Sequence, residues 1–368
     1  MLELSNGDIA RARQHSLLLA GPSLGSAEAV ATWFGAMQAQ DPASAVWSLG
    51  VRLPGSVAAD VDGAFERGGI LRTWPMRGTI HVIPSRDAGW MLELTGVRAL
   101  SGSATRLGQL GLDQNSVDRA VAALESALHG GHRLTRADAF AALQQAGLDT
   151  SGQRGYHLLW HAAHLGVVCI GPYQGKEQTF VLLREWAPVQ DRLERRDAMA
   201  ELAHRYFRSH GPVTVKDFAG WTGLTLTDAR AAVAANDGRL ESARFGPDEC
   251  WMSTGLAEAL RQGAGRDRLP AVTLPGFDEF LLGYKDRSVQ LAAERMGDVV
   301  PGGNGMFRAT VCIDGRVAGV WTRIVRRARV DVTVHPFAPF TKREEREVDQ
   351  ALAAYGGFLG LPVRRQGL

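Results

Sequence analysis

Cysteine is scarce in this chain: three in 368 residues, Cys169, Cys250 and Cys312. They lie far apart, show no Cys-x-x-Cys spacing, and one of three must stay unpaired. A disulfide scaffold is thereby excluded, no cysteine zinc site is signalled, and a reducing cytosol is the expected compartment. Lysine is almost as rare. Only Lys176, Lys216, Lys285 and Lys342 occur among 41 cationic residues, leaving 41 − 4 = 37 arginines. A GC-rich genome explains that bias, and so would a need for planar forks facing phosphates and guanine edges. Excess charge of one sign is missing as well, since 41 basic against 39 acidic residues give a net +2. That excludes a strongly acidic or basic protein and leaves nucleic-acid binding unannounced. No apolar run approaches the ~20 residues of a membrane helix. The opening MLELSNGDIARARQH has early acids and no apolar core, unlike a signal peptide. We therefore expect a soluble, cytoplasmic protein with no membrane partner.

Familiar catalytic motifs are missing too. There is no Gly-x-Gly-x-x-Gly after a strand, no Walker loop, no Gly-x-Ser-x-Gly and no His-Glu-x-x-His. No carboxylate cluster suited to a two-metal nuclease stands out either. His157, His161 and His164 share a helical face, but no carboxylate or cysteine joins them at ligand spacing. They read as surface or groove-facing histidines rather than a metal site.

What is present is ordinary globular composition, 45% apolar and 22% charged, in a chain long enough for two to four domains. Residues 25–38 have apolar residues at Val30, Trp33, Phe34 and Met37, a helical spacing opened by Ser26. Pro42 disfavours helical geometry at Asp41, so this helix is predicted to end near Gln40. Asp41-Pro42 then supplies N-cap and first position of a second helix, through Trp47 to about Val51. Residues 70–83 read as a β-hairpin turning at Pro75-Met76.

A unit then repeats. Asn115–His129 is a predicted helix, Thr135-x-x-Asp138 opens a second with a capping pattern, Tyr156–Leu165 is a third, and strands at Val167–Gly171 and Thr179–Leu183 follow. The same order returns with Asp197–Ser209, the Thr214-x-x-Asp217 start, Thr227–Asn236, and strands at Leu240–Arg244 and Cys250–Ser253. Helix, short helix, helix and a two-stranded wing is the order of a winged helix-turn-helix. The first hundred residues read as a more divergent copy. Arg261–Arg268 reads as a linker. Beyond it, Gly305–Ile313 and Arg316–Ile324 alternate around Asp314-Gly315, Arg329–Val334 is a further strand, and Lys342–Phe358 is a closing helix. A small β-barrel, or a curved sheet with one helix, fits that region.

Gln38 and Gln40 are singled out by chemistry. On a regular helix they would point about 200° apart, but an unwound last turn before Pro42 would let two neutral amides share a cleft. Together they would present donors and acceptors at one place. Taken alone, they read first as a polar helix end, and Asp41 reads foremost as an N-cap. Arg77, Lys285, Arg287, Arg323, Arg326 and Arg327 are candidate phosphate contacts, each otherwise a solvated charge. Trp74 and Trp321 would stack or wedge in a groove, or else belong to a core.

Four strings occur in order: Gln38-Ala39-Gln40-Asp41-Pro42; Arg72-Thr73-Trp74-x-x-Arg77-Gly78-Thr79-x-His81; Gly276-Phe277-Asp278-Glu279-Phe280-x-x-Gly283-Tyr284-x-Asp286-Arg287; and Asp314-Gly315-Arg316-Val317-x-Gly319-x-Trp321. Together they resemble the AlkZ-like DNA glycosylases, over nearly the whole chain. The resemblance implies a mostly α fold with β wings: three tandem winged helices at 1–106, 107–190 and 191–265, then a β-barrel at 266–368, C-shaped around DNA. It makes Gln38 and Gln40 catalytic, and both being Gln places the chain in the branch acting on bulky adducts and crosslinks. The implied partner is double-stranded DNA carrying alkylated purines, met by a monomer. The implied reaction is monofunctional hydrolysis of the N-glycosidic bond of N7-alkylated purines, leaving an abasic site, with a possible self-resistance role. Neither a metal nor an organic cofactor is implied. The competing expectation is a non-catalytic winged-helix regulator, which would dimerise on two half-sites.

Overall fold

The structure, a computed structural model, describes residues 2–366. The chain forms two compact units: one of residues up to Val61 together with those from Met199 onward, the other Asp62–Ala198.

In the unit Asp62–Ala198, strands Ile70–Met76 and Thr79–Pro84 form the expected hairpin, paired from Ile70 opposite Pro84 to Met76 opposite Thr79. Its turn is Arg77-Gly78, not Pro75-Met76. Both residues have positive φ, 55° and 70°, as the tight turns that match strand twist require. Pro75 sits where the register shifts between Thr73 and Met76, a place where its missing N–H is tolerated. Strands Val168–Gln174 and Glu177–Leu182 continue the sheet, with Arg72 opposite Ile170 and Leu134 opposite Phe180. Helices Gln114–Leu128, Arg136–Gln145 and Arg154–His164 bury Leu124, Leu128, Leu143, Leu158 and Leu159 with Ile170 and Phe180 of the sheet. Each such side chain contributes roughly 1.5–3 kcal/mol. Thr135 and Asp138 cap one another across the first turn of the second helix.

His161 and His164 belong to this core rather than to a surface or groove. Both are buried; the His161 Nε2 lies 3.1 Å from the Ser103 hydroxyl and the His164 Nδ1 2.9 Å from the Trp160 carbonyl. Burial holds the His164 pKa at about 4.

The second set of elements, in the other unit from Met199 onward, follows the predicted order. Helices Arg195–His210, Val215–Thr222 and Leu226–Ala234 precede a hairpin of Leu240–Phe245 and Asp248–Ser253, joined in parallel by Leu2–Glu3. Thr214 and Asp217 repeat the reciprocal cap. The C-terminal sheet runs in the order Val272–Leu274, Thr310–Ile313, Arg316–Val325, Val330–Pro336, Val363–Gln366. It is open, not a barrel. Its outer strands have three and four residues, and the last pairs in parallel with Val330–Pro336 after the helix Lys342–Leu359. That helix buries Val348, Leu352, Tyr355 and Phe358. A crossover helix that covers the sheet takes the place of ring closure.

All three cysteines are free and buried. Desolvation pushes the Cys250 thiol up to about 11 and Cys169 up to about 12, and raises Cys312 as well.

Candidate active site

The first helix of interest is Ala27–Phe34, which stops well short of Gln40. Gly35 ends it. At φ 79° this residue occupies a region that side chains rarely enter, and its N–H still closes onto the Ala31 carbonyl at 2.8 Å. The apolar spacing that reads as helix to Met37 is therefore completed by an extended run. Met37 and Ala39 are 2% exposed, Gln38 is half-buried and Gln40 is exposed. In extended backbone, residues two apart face the same side, the arrangement that would let the two amides share a cleft. The pair lies on a short strand followed by a bend, not on an unwound helical turn. Among the described residues neither side-chain amide is engaged in a hydrogen bond.

Asp41 closes the segment as expected. Its Oδ2 accepts the Ser44 N–H at 2.9 Å, and Pro42 opens the helix Pro42–Gly50. Arg323 approaches the same oxygen at 3.8 Å and lies over the rings of Trp321 and Tyr355.

Behind the strand lies a buried polar layer. Asp278 and Glu279 are 5% and 1% exposed. The Asp278 carboxylate accepts both terminal nitrogens of Arg52 at 2.9 Å and the Ser48 hydroxyl at 2.6 Å. Arg52 also donates to the Leu17 carbonyl at 2.8 Å, and the Ser48–Asp278 bond ties helix Pro42–Gly50 to the segment carrying Glu279. Such bidentate, multiply satisfied geometry is what a buried ion pair needs to repay desolvation. Glu279 Oε1 accepts the backbone N–H of Gln38 at 2.8 Å. Its Oε2 accepts the Trp221 indole N–H at 3.0 Å and lies 3.2 Å from His210 Nε2. His210 stacks on Tyr206, with ring centres 4.5 Å apart. A Cβ on Gly283 would sit 2.2 Å from the His210 ring, so glycine alone fits there. The Tyr206 hydroxyl donates to the Gly283 carbonyl at 2.6 Å, and that of Tyr284 to the His210 carbonyl at 2.9 Å. Desolvation raises both phenol pKa values, which keeps these donors protonated.

Of the other candidates, Lys285 is exposed and follows the Glu279 helix, its backbone N–H donating to Asp217 at 2.8 Å. Arg287 is half-buried, donates to the Leu281 carbonyl at 2.6 Å and lies over the Phe307 ring. Arg326 pairs with Asp331, as do Arg329 and Arg364, and these guanidiniums hold the Asp331 carboxyl far below its usual range. Arg327 is exposed on the same hairpin. Arg77 is exposed on the turn of the other unit. Trp74 is not presented to a groove: it is 4% exposed and packed in the core of that unit. Trp321 is likewise core, its indole donating to the Leu274 carbonyl at 2.9 Å. Large aromatics in a hairpin bury more apolar area inward than a groove would take.

Glu279, His210, Trp221, Asp278 and Arg52 went unremarked as site residues in the sequence. The available signal was two adjacent acids inside the apolar run Pro275–Tyr284, an arrangement that forces buried carboxylates to find partners.

Comparison with known proteins shows the family of the chain. Residues 31–358 match the family model described as DNA glycosylase AlkZ-like. The chain therefore belongs to the AlkZ-like DNA glycosylase family, and is a hydrolase of the bond between base and sugar. An interstrand DNA cross-link repair glycosylase of Streptomyces sahachiroi is 26% identical over 317 residues, 80% of this chain and 81% of that protein. The solved structure of Streptomyces sahachiroi DNA glycosylase AlkZ superposes with a TM-score of 0.81, at 24% identity, over 99% of this chain and 100% of the other.

Proposed function

We propose that this chain is a monofunctional glycosylase for N7-alkylated purines, including bulky adducts and interstrand crosslinks, with Gln38 and Gln40 as its catalytic pair. The observation that supports the reading is the non-helical segment between Gly35 and Asp41, which carries a half-buried and an exposed amide two residues apart, neither side chain hydrogen-bonded among the described residues. The Streptomyces relative, a cross-link repair glycosylase by name, supports the substrate class.

The chemistry suits neutral amides. Most glycosidases deliver a proton because the leaving group is poor. A purine alkylated at N7 already carries positive charge and departs as a neutral base. What remains is to hold a water against C1′ and face the developing oxocarbenium with electron-rich oxygen, which glutamine carbonyls can do. Atoms balance simply: the N-glycosidic bond breaks, water oxygen bonds C1′, and the water proton is released. No lysine neighbours the pair in sequence, which favours water over a Schiff base.

In this reading the repeated helix–helix–helix–hairpin elements act as tandem winged helices, at 1–106, 107–190 and 191–265, ahead of the C-terminal sheet. A monomer meets duplex DNA in the cytoplasm with no cofactor, and protection of a producer from its own genotoxin is one use of the activity. Arg77, Lys285, Arg287, Arg323 and Arg326 are the proposed phosphate contacts.

The deciding experiment is incubation with duplexes bearing N7-methylguanine, a bulky N7-guanine adduct or uracil. Release of the two cationic bases, with uracil untouched, is the expected result. Efficient uracil excision would show that leaving-group charge is not what the enzyme reads.

A further inference from the structure

We infer that Glu279 is a positioning residue for this reaction: through Oε1 it sets the place of the Gln38 backbone, with His210 and Trp221 fixing its own carboxylate. The inference rests on Gln38 and Gln40 being the catalytic pair. Glu279 touches neither amide side chain; it acts on the strand that carries them.

Regular pairing holds little of that strand, only Met37–Gln38, and the run is bounded by a glycine turn and an N-cap. Gln38 is half-buried and Gln40 exposed, with no side-chain hydrogen bond of their own among the described residues, so restraint must come from the packing of Met37 and Ala39 and from the backbone. The Gln38 N–H is the backbone donor that Glu279 takes, 241 residues away in sequence, at 2.8 Å. Charge-assisted bonds of this kind are roughly twice as strong as neutral ones.

The carboxylate is in turn over-determined. Its own helix, Glu279–Leu282, is capped by Asp278, which Arg52 and Ser48 clamp. Oε2 meets Trp221 from helix Val215–Thr222 and His210 from the end of helix Arg195–His210. The His210 Nδ1 lies 2.8 Å from the Ser209 hydroxyl, which itself donates to the Arg205 carbonyl at 2.7 Å, so the ring is held from both sides. Gly283 is the concession that lets the imidazole in. A 1%-exposed carboxylate is costly to bury, and an apolar filling would stabilise the fold at least as well. Retaining it here fixes a geometry. Displacement of a reacting group by ~1 Å can cost about 10²-fold in rate.

The test uses the full chain with single-turnover release of N7-methylguanine, duplex Kd, thermal midpoint and the amide-proton shift of Gln38. Glu279→Asp withdraws the carboxylate by one methylene while keeping its charge. We expect single-turnover excision to fall roughly 10-fold or more, Kd to stay within about twofold, and the Gln38 amide proton to move upfield as its short bond lengthens. Trp221→Phe and His210→Gln keep the carboxylate but each alters one partner of Oε2, so excision per folded molecule should fall in both, less than in Glu279→Asp, with the Gln38 amide proton moving in the same direction. If Glu279→Asp is too unstable to assay, these two variants decide the matter: wild-type excision and an unmoved Gln38 amide proton in both would overturn the inference. Wild-type excision by Glu279→Asp, or a loss no larger than its fall in folded fraction with the Gln38 amide proton unmoved, would overturn it as well by reducing Glu279 to a packing role. Gln40→Ala runs in parallel: if it stays active the catalytic pair itself is misassigned, whereas an inactive Gln40→Ala beside a fully active Glu279→Asp removes only the positioning role.

Discussion

Gln40 and Gln38 differ in exposure, and so in what their loss tests. Gln40 is exposed and bonded to nothing among the described residues, so Gln40→Ala removes an amide with little structural cost. Single-turnover excision should drop roughly 10²-fold, the usual loss of one preorganised polar group, with duplex affinity nearly unchanged. Wild-type excision by that variant would end the catalytic assignment. Trp74 makes the opposite case. Buried at 4% exposure in the core of its unit, it should cost about 3–5 kcal/mol of stability as Trp74→Ala, read by denaturant unfolding. Folded Trp74→Ala should bind duplex as wild type does; a selective loss of affinity at unchanged stability would return it to the groove.

The segment from Gly35 to Asp41 works only because two helices stop and start at its ends. Gly35→Ala places a Cβ at φ 79°, a strain of about 1–2 kcal/mol, and should lower both thermal midpoint and excision. An active variant of unchanged midpoint would mean the turn does not set the triplet. The two ends were unequally legible in the sequence. Asp41-Pro42 and the Thr135/Asp138 and Thr214/Asp217 caps could be read because each rests on contacts within a few residues. The Asp314-Gly315 turn was legible for the same reason, and both residues indeed have positive φ. Gly35 was not, because Val30, Trp33, Phe34 and Met37 keep helical spacing across it and only tertiary packing reveals the break. Glu279 was hidden by distance, its partner lying 241 residues away. The choice between a barrel and a curved open sheet was hidden likewise, since closure depends on whether strands at 272–274 and 363–366 meet. The fold order was thus readable from local signals, and the support of the site was not.

For the molecule as a whole, pH and salt probe different layers. Burial lowers the pKa of His164 and of His204, each to about 4 against 6.5 in the unfolded chain. Between those values the unfolded state binds the extra protons, so stability must fall as pH drops from about 6.5 to 4. His164→Phe should flatten that slope in thermal midpoints; an unchanged slope would assign the acid sensitivity elsewhere. DNA affinity should fall steeply with salt, and Arg77→Ala should reduce the log–log slope by about one unit if Arg77 neutralises a phosphate. An unchanged slope would leave it a surface charge. The buried thiols bear on a hazard of the trade. A protein proposed to meet alkylated DNA works among electrophiles, and thiolates are what electrophiles take first. With Cys250 held at about 11, Cys169 at about 12 and Cys312 raised too, almost none of the three is ionised at neutral pH, and none is reachable in the folded state. The native chain should resist iodoacetamide and take up label only on unfolding, a repair enzyme that offers its substrate's makers nothing to poison.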